Sequence, residues 1–285
     1  MDFTYEKAGS FTQALKLKAE YKEKGVFIAG GTDLLVDIRN NILEPEAVID
    51  ISDLDEINYI RQEDNQVKIG AMTRIAQIEK SSIVHSHAPI LYKASKDFAN
   101  PLINNMATLG GNLINASPAA DMATPLLVLG AKVVLKSANG ERVIPLEELF
   151  SGVRKTNHRS DELLAEISFN GAQGKKCEFL KLGQRNGTSI SIASLSLLFD
   201  IAGGVIGDDL RLAVGSVAPV PLRARKTEGV LRGVEPSARN IKLAGDMLKC
   251  EVTPITDVRG TAEYRMEMVA ALLLMAFQNL GYTTK

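Results

Sequence analysis

Apolar and polar positions alternate along this chain in patterns that predict both strands and helices. Val26 to Ile28 form a short, partly β-branched apolar run, which is typical of a buried strand. Leu34, Leu35 and Ile38 follow at helical spacing and predict a helix directly after it. The same reasoning predicts strands at Ala47–Ile51 and Val67–Gly70, and helices at Phe11–Lys24 and Thr73–Glu79, the second capped by Thr73.

A hairpin is predicted in the middle of the chain. Two strand-like runs, Lys132–Ser137 and Glu141–Ile144, flank Asn139-Gly140, a pair that favours a type I′ turn. The chain lacks steady βαβ alternation and the Gly-x-Gly-x-x-Gly fingerprint of a Rossmann domain. The pattern therefore predicts an α+β architecture.

A domain boundary is predicted at Asn170–Gly174, where the composition becomes small and polar. Beyond it the pattern predicts strands at Cys177–Leu182, Ser189–Asp200 and Leu210–Val217, and helices at 220–233, 236–250 and 259–280. A small antiparallel sheet packed against a layer of helices would bury both sets of apolar faces.

Composition narrows the classes of function. The 285 residues carry a net charge of −1, with no basic run, no Trp and 5% aromatic residues, which argues against nucleic acid as a partner. The N-terminus shows no apolar signal region, and the most apolar stretch, Met268–Phe277, is shorter than the roughly 20 residues that span a bilayer. We expect a soluble, cytoplasmic protein without membrane insertion.

Metal and nucleophile chemistry find little support in the sequence. Cys177 and Cys250 are isolated and far apart, too few for a cluster or a structural zinc, and are predicted to be inert core thiols. His85 and His87 would lie on one side of a strand, an arrangement that suits a metal, but no third ligand is in view and a surface loop is predicted instead. His158 lies in a basic polar loop and is predicted to be solvated. No metal site and no catalytic residue are predicted.

Paired glycines after the first buried strand are the first candidate for binding. Gly30 and Gly31 permit positive φ and let backbone N–H groups approach a ligand, and a helix N-terminus favours phosphate. Thr32 or Asp33 is predicted to cap that helix. The alternative is an ordinary strand-to-helix turn.

A second glycine-paired stretch, Ala107–Asp121, consists mainly of small and polar residues. It suits a backbone wrapped around a large ligand, with Thr108, Asn112, Ser117 and Asp121 as hydrogen-bonding groups, although a solvated loop has the same composition. Two such stretches suggest a ligand with two phosphates or two polar ends.

Four stretches in this order resemble one known family. Ala29–Leu35, Thr108–Asp121, Gly215–Ala224 and Asp257–Arg265 are similar to the FAD-binding (medium) subunits of molybdenum hydroxylases, such as xanthine dehydrogenase and aerobic carbon monoxide dehydrogenase. The resemblance spans essentially the whole chain. It implies a two-part FAD-binding domain of the vanillyl-alcohol-oxidase type at 1–172, with subdomains at about 1–55 and 56–172. A C-terminal domain of the carbon monoxide dehydrogenase flavoprotein type, with a small antiparallel sheet and helices, follows at 173–285.

The resemblance also implies the cofactor and its contacts. FAD would be held non-covalently, because Ala29–Leu35 contains neither the His nor the Cys to which covalent relatives attach flavin. Lys181 matches a lysine near the flavin's pyrimidine end that stabilises the reduced cofactor, Leu164 a backbone contact and Phe98 an aromatic contact. The simpler alternatives are a solvent-facing strand lysine for Lys181 and a core residue for Phe98. The full set of expected FAD contacts is Ala29, Gly30, Gly31, Thr32, Asp33, Leu34, Leu35, Phe98, Thr108, Gly110, Gly111, Asn112, Asn115, Ser117, Asp121, Leu164 and Lys181.

The implied role is electron transfer from iron–sulfur clusters to FAD and on to a final acceptor. A molybdopterin-containing large subunit and a 2Fe-2S small subunit would be the partners. Val153 replaces an aromatic residue that covers the flavin in xanthine dehydrogenases, which leaves the acceptor open. Arg223, Arg259 and Arg265 are expected either to pair with Asp257 and Glu263 or to lie at a subunit interface. The alternatives are a free-standing FAD-dependent reductase and a module that has lost FAD.

Overall fold

The computed structural model describes residues 3–185 and 188–282, and its mixture of helices and sheets confirms the α+β class. The helices are α1 (Phe11–Tyr21), α2 (Leu34–Arg39), α3 (Ile75–Lys80), α4 (Ser82–His87), α5 (Pro89–Lys96), α6 (Pro101–Asn104), α7 (Leu109–Ile114), α8 (Ala123–Val128), α9 (Arg225–Leu231), α10 (Ala238–Glu251) and α11 (Ala262–Asn279). The strands are β1 (Thr4–Lys7), β2 (Gly25–Ile28), β3 (Ala47–Asp50), β4 (Ile60–Glu63), β5 (Gln66–Gly70), β6 (Lys132–Ser137), β7 (Gly140–Pro145), β8 (Phe150–Gly152), β9 (Lys155–Thr156), β10 (Leu163–Asn170), β11 (Lys176–Leu182), β12 (Ala193–Phe199), β13 (Ile201–Ala202), β14 (Val205–Ile206), β15 (Arg211–Gly215) and β16 (Leu222–Arg223). Short 3₁₀ turns lie at Lys22–Lys24, Asp55–Ile57 and Leu146–Glu148.

The N-terminal part contains a parallel sheet with the strand order β1-β3-β2. Helix α1 packs on it through the buried side chains of Ala14 and Leu15, and the hydroxyl of Ser10 caps the helix by accepting a hydrogen bond from the Gln13 N–H. This sheet carries β2 into the first glycine pair and so positions α2 at its edge.

A five-stranded antiparallel sheet follows, with the order β4-β5-β10-β6-β7. Its central strand, β10, was missed by the sequence pattern, and it carries a bulge between Leu164 and Glu166. The predicted hairpin is confirmed as β6–β7, but its two-residue loop is Ala138-Asn139. Neither of those residues has positive φ, so the predicted type I′ turn is wrong. In this hairpin the positive φ belongs to Gly140, at 142°.

The C-terminal sheet is antiparallel, in the order β11-β12-β15-β16. The predicted helix over 220–233 begins only at Arg225, because Leu222 and Arg223 pair with β15 as a strand. The predicted strand over Ser189–Asp200 begins only at Ala193, while α10 and α11 lie within two or three residues of their predicted bounds.

Alternate residues of this sheet face opposite sides, as the two-residue period of a strand requires. Leu195 and Leu197 face α10 and α11, whereas Phe179 and Leu198 join the core formed with the helices of the N-terminal part. The core therefore continues across residues 172 and 173, and that domain boundary stays a prediction.

Several single-residue predictions are wrong. His85 and His87 lie in α4, capped by Ser81, and residues two apart on a helix point in different directions. Thr73 does not cap α3, because its hydroxyl donates to the Tyr59 carbonyl and the helix begins after Arg74. Cys177 is buried as predicted, but Cys250 is exposed.

Two further predictions concern charged side chains. His158 is half-buried rather than solvated, bonds to the Thr156 hydroxyl, and has its pKa lowered by burial. Arg259 and Arg265 pair with Asp257 as expected, whereas Arg223 pairs with Glu228. Within the described residues, no helix is long and apolar enough to cross a bilayer.

Candidate functional site

The first glycine pair forms a sharp turn between β2 and α2. Gly31 adopts φ +69°, which is a conformation that a side chain disfavours. A Cβ on Gly30 would lie 1.9 Å from the carbonyl oxygen of Met106, so this glycine lets the two glycine-paired stretches touch through their backbones. Asp33, not Thr32, is the N-cap residue of α2, but its side chain makes no capping hydrogen bond. The predicted side-chain cap is therefore wrong.

The second stretch, for which composition left a ligand-binding backbone and a solvated loop as alternatives, contains a short helix, α7. The Thr108 hydroxyl caps it by accepting from the Gly111 N–H at 3.1 Å. Its two glycines serve different purposes. A Cβ on buried Gly110 would meet Ala71 at 2.7 Å, whereas Gly111 is exposed, and a Cβ there would meet only the Thr108 hydroxyl, at 2.9 Å.

The end of the second stretch rests on the C-terminal sheet. Lys181, Ser194 and Gly215 are in register across β11, β12 and β15. The Lys181 ammonium lies 2.5 Å from Asp121 Oδ2 and 3.2 Å from the Asp97 carbonyl oxygen. Since Lys181 faces this interface, the solvent-facing alternative is wrong.

Hydrogen bonds hold this junction together from both sides. The Ser216 N–H donates to the Pro118 carbonyl oxygen at 2.7 Å. A buried Ser196 hydroxyl donates to the Thr124 hydroxyl at 2.9 Å. The two domains thus meet in a fixed geometry at the segment that carries Asp121.

The Lys181–Asp121 pair is deeply buried, with side-chain exposures of 8% and 9%. Burial raises the pKa of Asp121 to about 6, and the neighbouring Lys181 opposes that rise without cancelling it. Removing both charges from water is unfavourable, and buried groups with a shifted pKa are often found at functional sites.

Two of the buried oxygens that have no donor within the described part of the chain belong to predicted contact residues. They are Oδ1 of Asn112 and Oδ1 of Asp121. Buried acceptors are normally satisfied, and an orphaned one points to a bound group that donates to it. FAD fits this set, because its ribityl and ribose hydroxyls, ring N–H and amino group are donors.

The other expected FAD contacts lie in three places: the main core, the second glycine-paired stretch and helix α2. Phe98 and Leu164 are buried in the main core, at 8% and 2% exposure. Ser117 accepts from the Ala119 N–H, and Asn115 accepts from Arg154. In α2, Leu34 is half-buried and Leu35 exposed.

Sequence reasoning missed Met106, Ser216 and the bridge from Arg154 to Asp37 and Asn115. Arg154 has φ +54°, which no sequence signal indicates, and the other two act through backbone groups, which any residue carries. A separate groove of about 520 Å³ is lined by Phe11, Glu56, Tyr59, Lys136, Glu141 and Glu166, and includes none of the predicted contacts.

Comparison with known proteins identifies the family. The family model "FAD binding domain in molybdopterin dehydrogenase" matches residues 1–169, and "CO dehydrogenase flavoprotein C-terminal domain" matches residues 178–280. The chain belongs to the FAD-binding medium subunits of the molybdenum hydroxylases. The resemblance stated from the sequence is thereby confirmed, together with FAD as the cofactor and the oxidoreductase class.

Individual relatives of this medium subunit match over nearly their whole length. The glyceraldehyde dehydrogenase medium chain of Sulfolobus acidocaldarius is 32% identical over 98% of this chain and 99% of the relative. The xanthine dehydrogenase FAD-binding subunit of Escherichia coli O157:H7 is 29% identical over 94% of this chain and 92% of the relative. A solved carbon monoxide dehydrogenase from Hydrogenophaga pseudoflava aligns with a TM-score of 0.94 at 29% identity, covering 98% of this chain and 96% of that one. The medium subunit is one part of a multi-subunit oxidoreductase.

Proposed function

We propose that this medium subunit binds FAD between its two glycine-paired stretches and the face of its C-terminal sheet, and passes electrons from iron–sulfur clusters to a final acceptor. The observation that carries the proposal is a set of three features along the two glycine-paired stretches. These are the backbone contact of Gly30 with Met106, the buried Lys181–Asp121 pair, and the orphaned acceptors of Asn112 and Asp121.

Most of the proposed contacts come from three places in the fold. The turn before α2, the cap and first turn of α7, and the Ser117–Asp121 segment supply most of them, and Lys181 reaches in from β11. The proposed FAD-binding residues are Ala29, Gly30, Gly31, Thr32, Asp33, Leu34, Leu35, Phe98, Thr108, Gly110, Gly111, Asn112, Asn115, Ser117, Asp121, Leu164 and Lys181. Among these, Gly110 acts by allowing α7 to pack on Ala71, and Thr108 by capping that helix.

FAD supplies the redox chemistry when bound, since flavins accept and release electrons singly or in pairs. The residues of the chain supply binding and electrostatics. Gly31 adopts the positive φ of the first turn, and Gly111 keeps the exposed face of α7 free of a side chain. Asn112 and Asp121 offer acceptors, and Lys181 places a buried cation nearby. No side chain is required to act as a nucleophile.

The proposed partners are a molybdopterin-containing large subunit and a 2Fe-2S small subunit. The support is that the relatives are named as medium chains or FAD subunits of dehydrogenases, and that one solved relative is a molybdenum- and copper-containing carbon monoxide dehydrogenase. We further propose a cytoplasmic location and a functional division of the chain at residues 172 and 173.

The first test is the visible absorption of the purified chain. We expect flavin bands that survive desalting, because the proposed site buries its polar contacts between two domains. Co-expression with the large and small subunits is expected to yield a complex that contains FAD, molybdopterin and 2Fe-2S clusters, while the chain alone oxidises no substrate. A chain that stays colourless both alone and in that complex would contradict the proposal, and substrate oxidation by the isolated chain would favour a free-standing reductase.

A further inference from the structure

Helix α2 is held loosely compared with the other elements of the FAD domain. Among its six residues only Ile38 is buried, and Leu35 and Val36 are 44% and 49% exposed. Within the described chain it has no extensive packing contact with another helix or strand. Its position must therefore depend on a few specific ties.

One tie joins the beginnings of α2 and α7. Gly30 precedes α2 and Met106 precedes α7, and their backbones are in close contact. The two helices have six residues each, so each extends about 9 Å from this point.

A second tie joins the ends of the same two helices. The Arg154 guanidinium bonds both carboxylate oxygens of Asp37, near the end of α2, with its bond to Oδ1 at 3.2 Å. It also donates to Oδ1 of Asn115, directly after α7, at 2.9 Å. A single side chain thus bridges both glycine-paired elements.

Arg154 is itself placed by its backbone. It lies at the tip of the β8–β9 hairpin with φ +54°, and its N–H donates to the Ala116 carbonyl oxygen at 3.0 Å. The Asp37 side chain is 14% exposed and that of Arg154 43%. The planar guanidinium fork suits a two-point contact with a carboxylate and a third bond to an amide, which lysine cannot reproduce.

We infer that Arg154 is a positioning residue that latches the ends of α2 and α7 together, and so sets how tightly and how long the cradle between them retains FAD. This inference rests on the proposed function. With both ends tied, the two helices keep a fixed spacing before the cofactor arrives, and less ordering is then needed upon binding. Without the latch, α2 keeps its Gly30 tie and its buried Ile38, and its far end is less restrained relative to α7.

The test compares full-length Arg154→Ala with Arg225→Ala, a control that removes an exposed arginine whose side chain bonds Glu147 rather than α2 or α7. After removal of FAD, each apoprotein is titrated with FAD by fluorescence. We expect the Kd to rise about tenfold in Arg154→Ala, the scale of losing charged hydrogen bonds, and to stay unchanged in Arg225→Ala. Hydrogen exchange of the α2 amides in the apoprotein is expected to accelerate only in Arg154→Ala.

Two further variants distinguish loss of the Arg154–Asp37 bond from a general loss of protein stability. Arg154→Lys keeps the charge but not the fork, and is expected to give an intermediate Kd. Asp37→Arg combined with Arg154→Asp reverses the pair, and is expected to recover much of the affinity that Asp37→Arg alone loses. Equal Kd values and equal α2 exchange in Arg154→Ala and Arg225→Ala would overturn the latch, as would a reversed pair no better than Asp37→Arg. Wild-type protein that binds no FAD would instead overturn the proposed function.

Discussion

Replacing Gly111 by valine is expected to leave the protein folded but to weaken FAD binding at least about 100-fold, equal to roughly 3 kcal/mol. Gly111 is exposed at the N-terminal end of α7, where a Cβ would meet only the Thr108 hydroxyl. Displacing that cap costs about 1 kcal/mol of stability. The larger effect is on the ligand, because the new side chain occupies the exposed face of α7 on which the proposed cofactor would lie.

Gly110→Val is the matched control one position away. A side chain there overlaps Ala71 in the core, so overpacking is expected to reduce the free energy of unfolding by roughly 1–3 kcal/mol or more. Urea unfolding and FAD retention after desalting distinguish the two variants. A Gly111→Val protein that stays yellow, or that unfolds as readily as Gly110→Val, would show that the second stretch does not face the cofactor.

Breaking the buried pair is expected to have the largest effect on stability. Lys181→Met leaves the Asp121 carboxylate in the interface without its counter-ion, and removal of one partner of a buried pair costs about 3–5 kcal/mol. Adding Asp121→Asn should recover most of that loss, because the double variant has no unpaired charge. The exposed pair Lys24–Glu46 is the control, and Lys24→Met is expected to change stability by less than about 1 kcal/mol.

The same pair predicts a pH dependence. The pKa of Asp121 is raised from 3.8 to about 6 by burial, so the folded protein holds this proton more tightly than the unfolded chain. The resulting stabilisation is fully present below pH 3.8 and is lost as the pH rises through 6, an effect of about 3 kcal/mol at most. Urea midpoints from pH 4 to 8, with Asp121→Asn as reference, check this. A wild type that gains stability relative to that reference as the pH rises to 7 would contradict it.

Local sequence signals were sufficient for the elements that depend on near neighbours. The strand–glycine–helix unit at Val26–Ile38, the β6–β7 hairpin and the two long C-terminal helices were all predicted, since periodicity and turn residues act over a few positions. The order of the four motifs was sufficient for the family, its cofactor and its class. Even here, the turn type at Ala138-Asn139 was wrong, because strand register moved the loop by one residue.

Tertiary structure decided what depends on residues far apart in sequence. The composition of Ala107–Asp121 could not distinguish a loop from α7, because that helix is held by a cap and by packing of Gly110 on Ala71. The same holds for Lys181, whose side chain could face either way along a strand until the pairing of β11 with β12 directed it to Asp121.

The sequence by itself therefore determined the family, the cofactor and the residue types available to bind it. Only the tertiary structure decided that Gly110 packs while Gly111 faces outward, that two acceptors are left without donors, and that Arg154 ties α2 to α7. The physical reason is that burial, register and a positive φ at a non-glycine residue are properties of the whole packed chain, which no short stretch encodes.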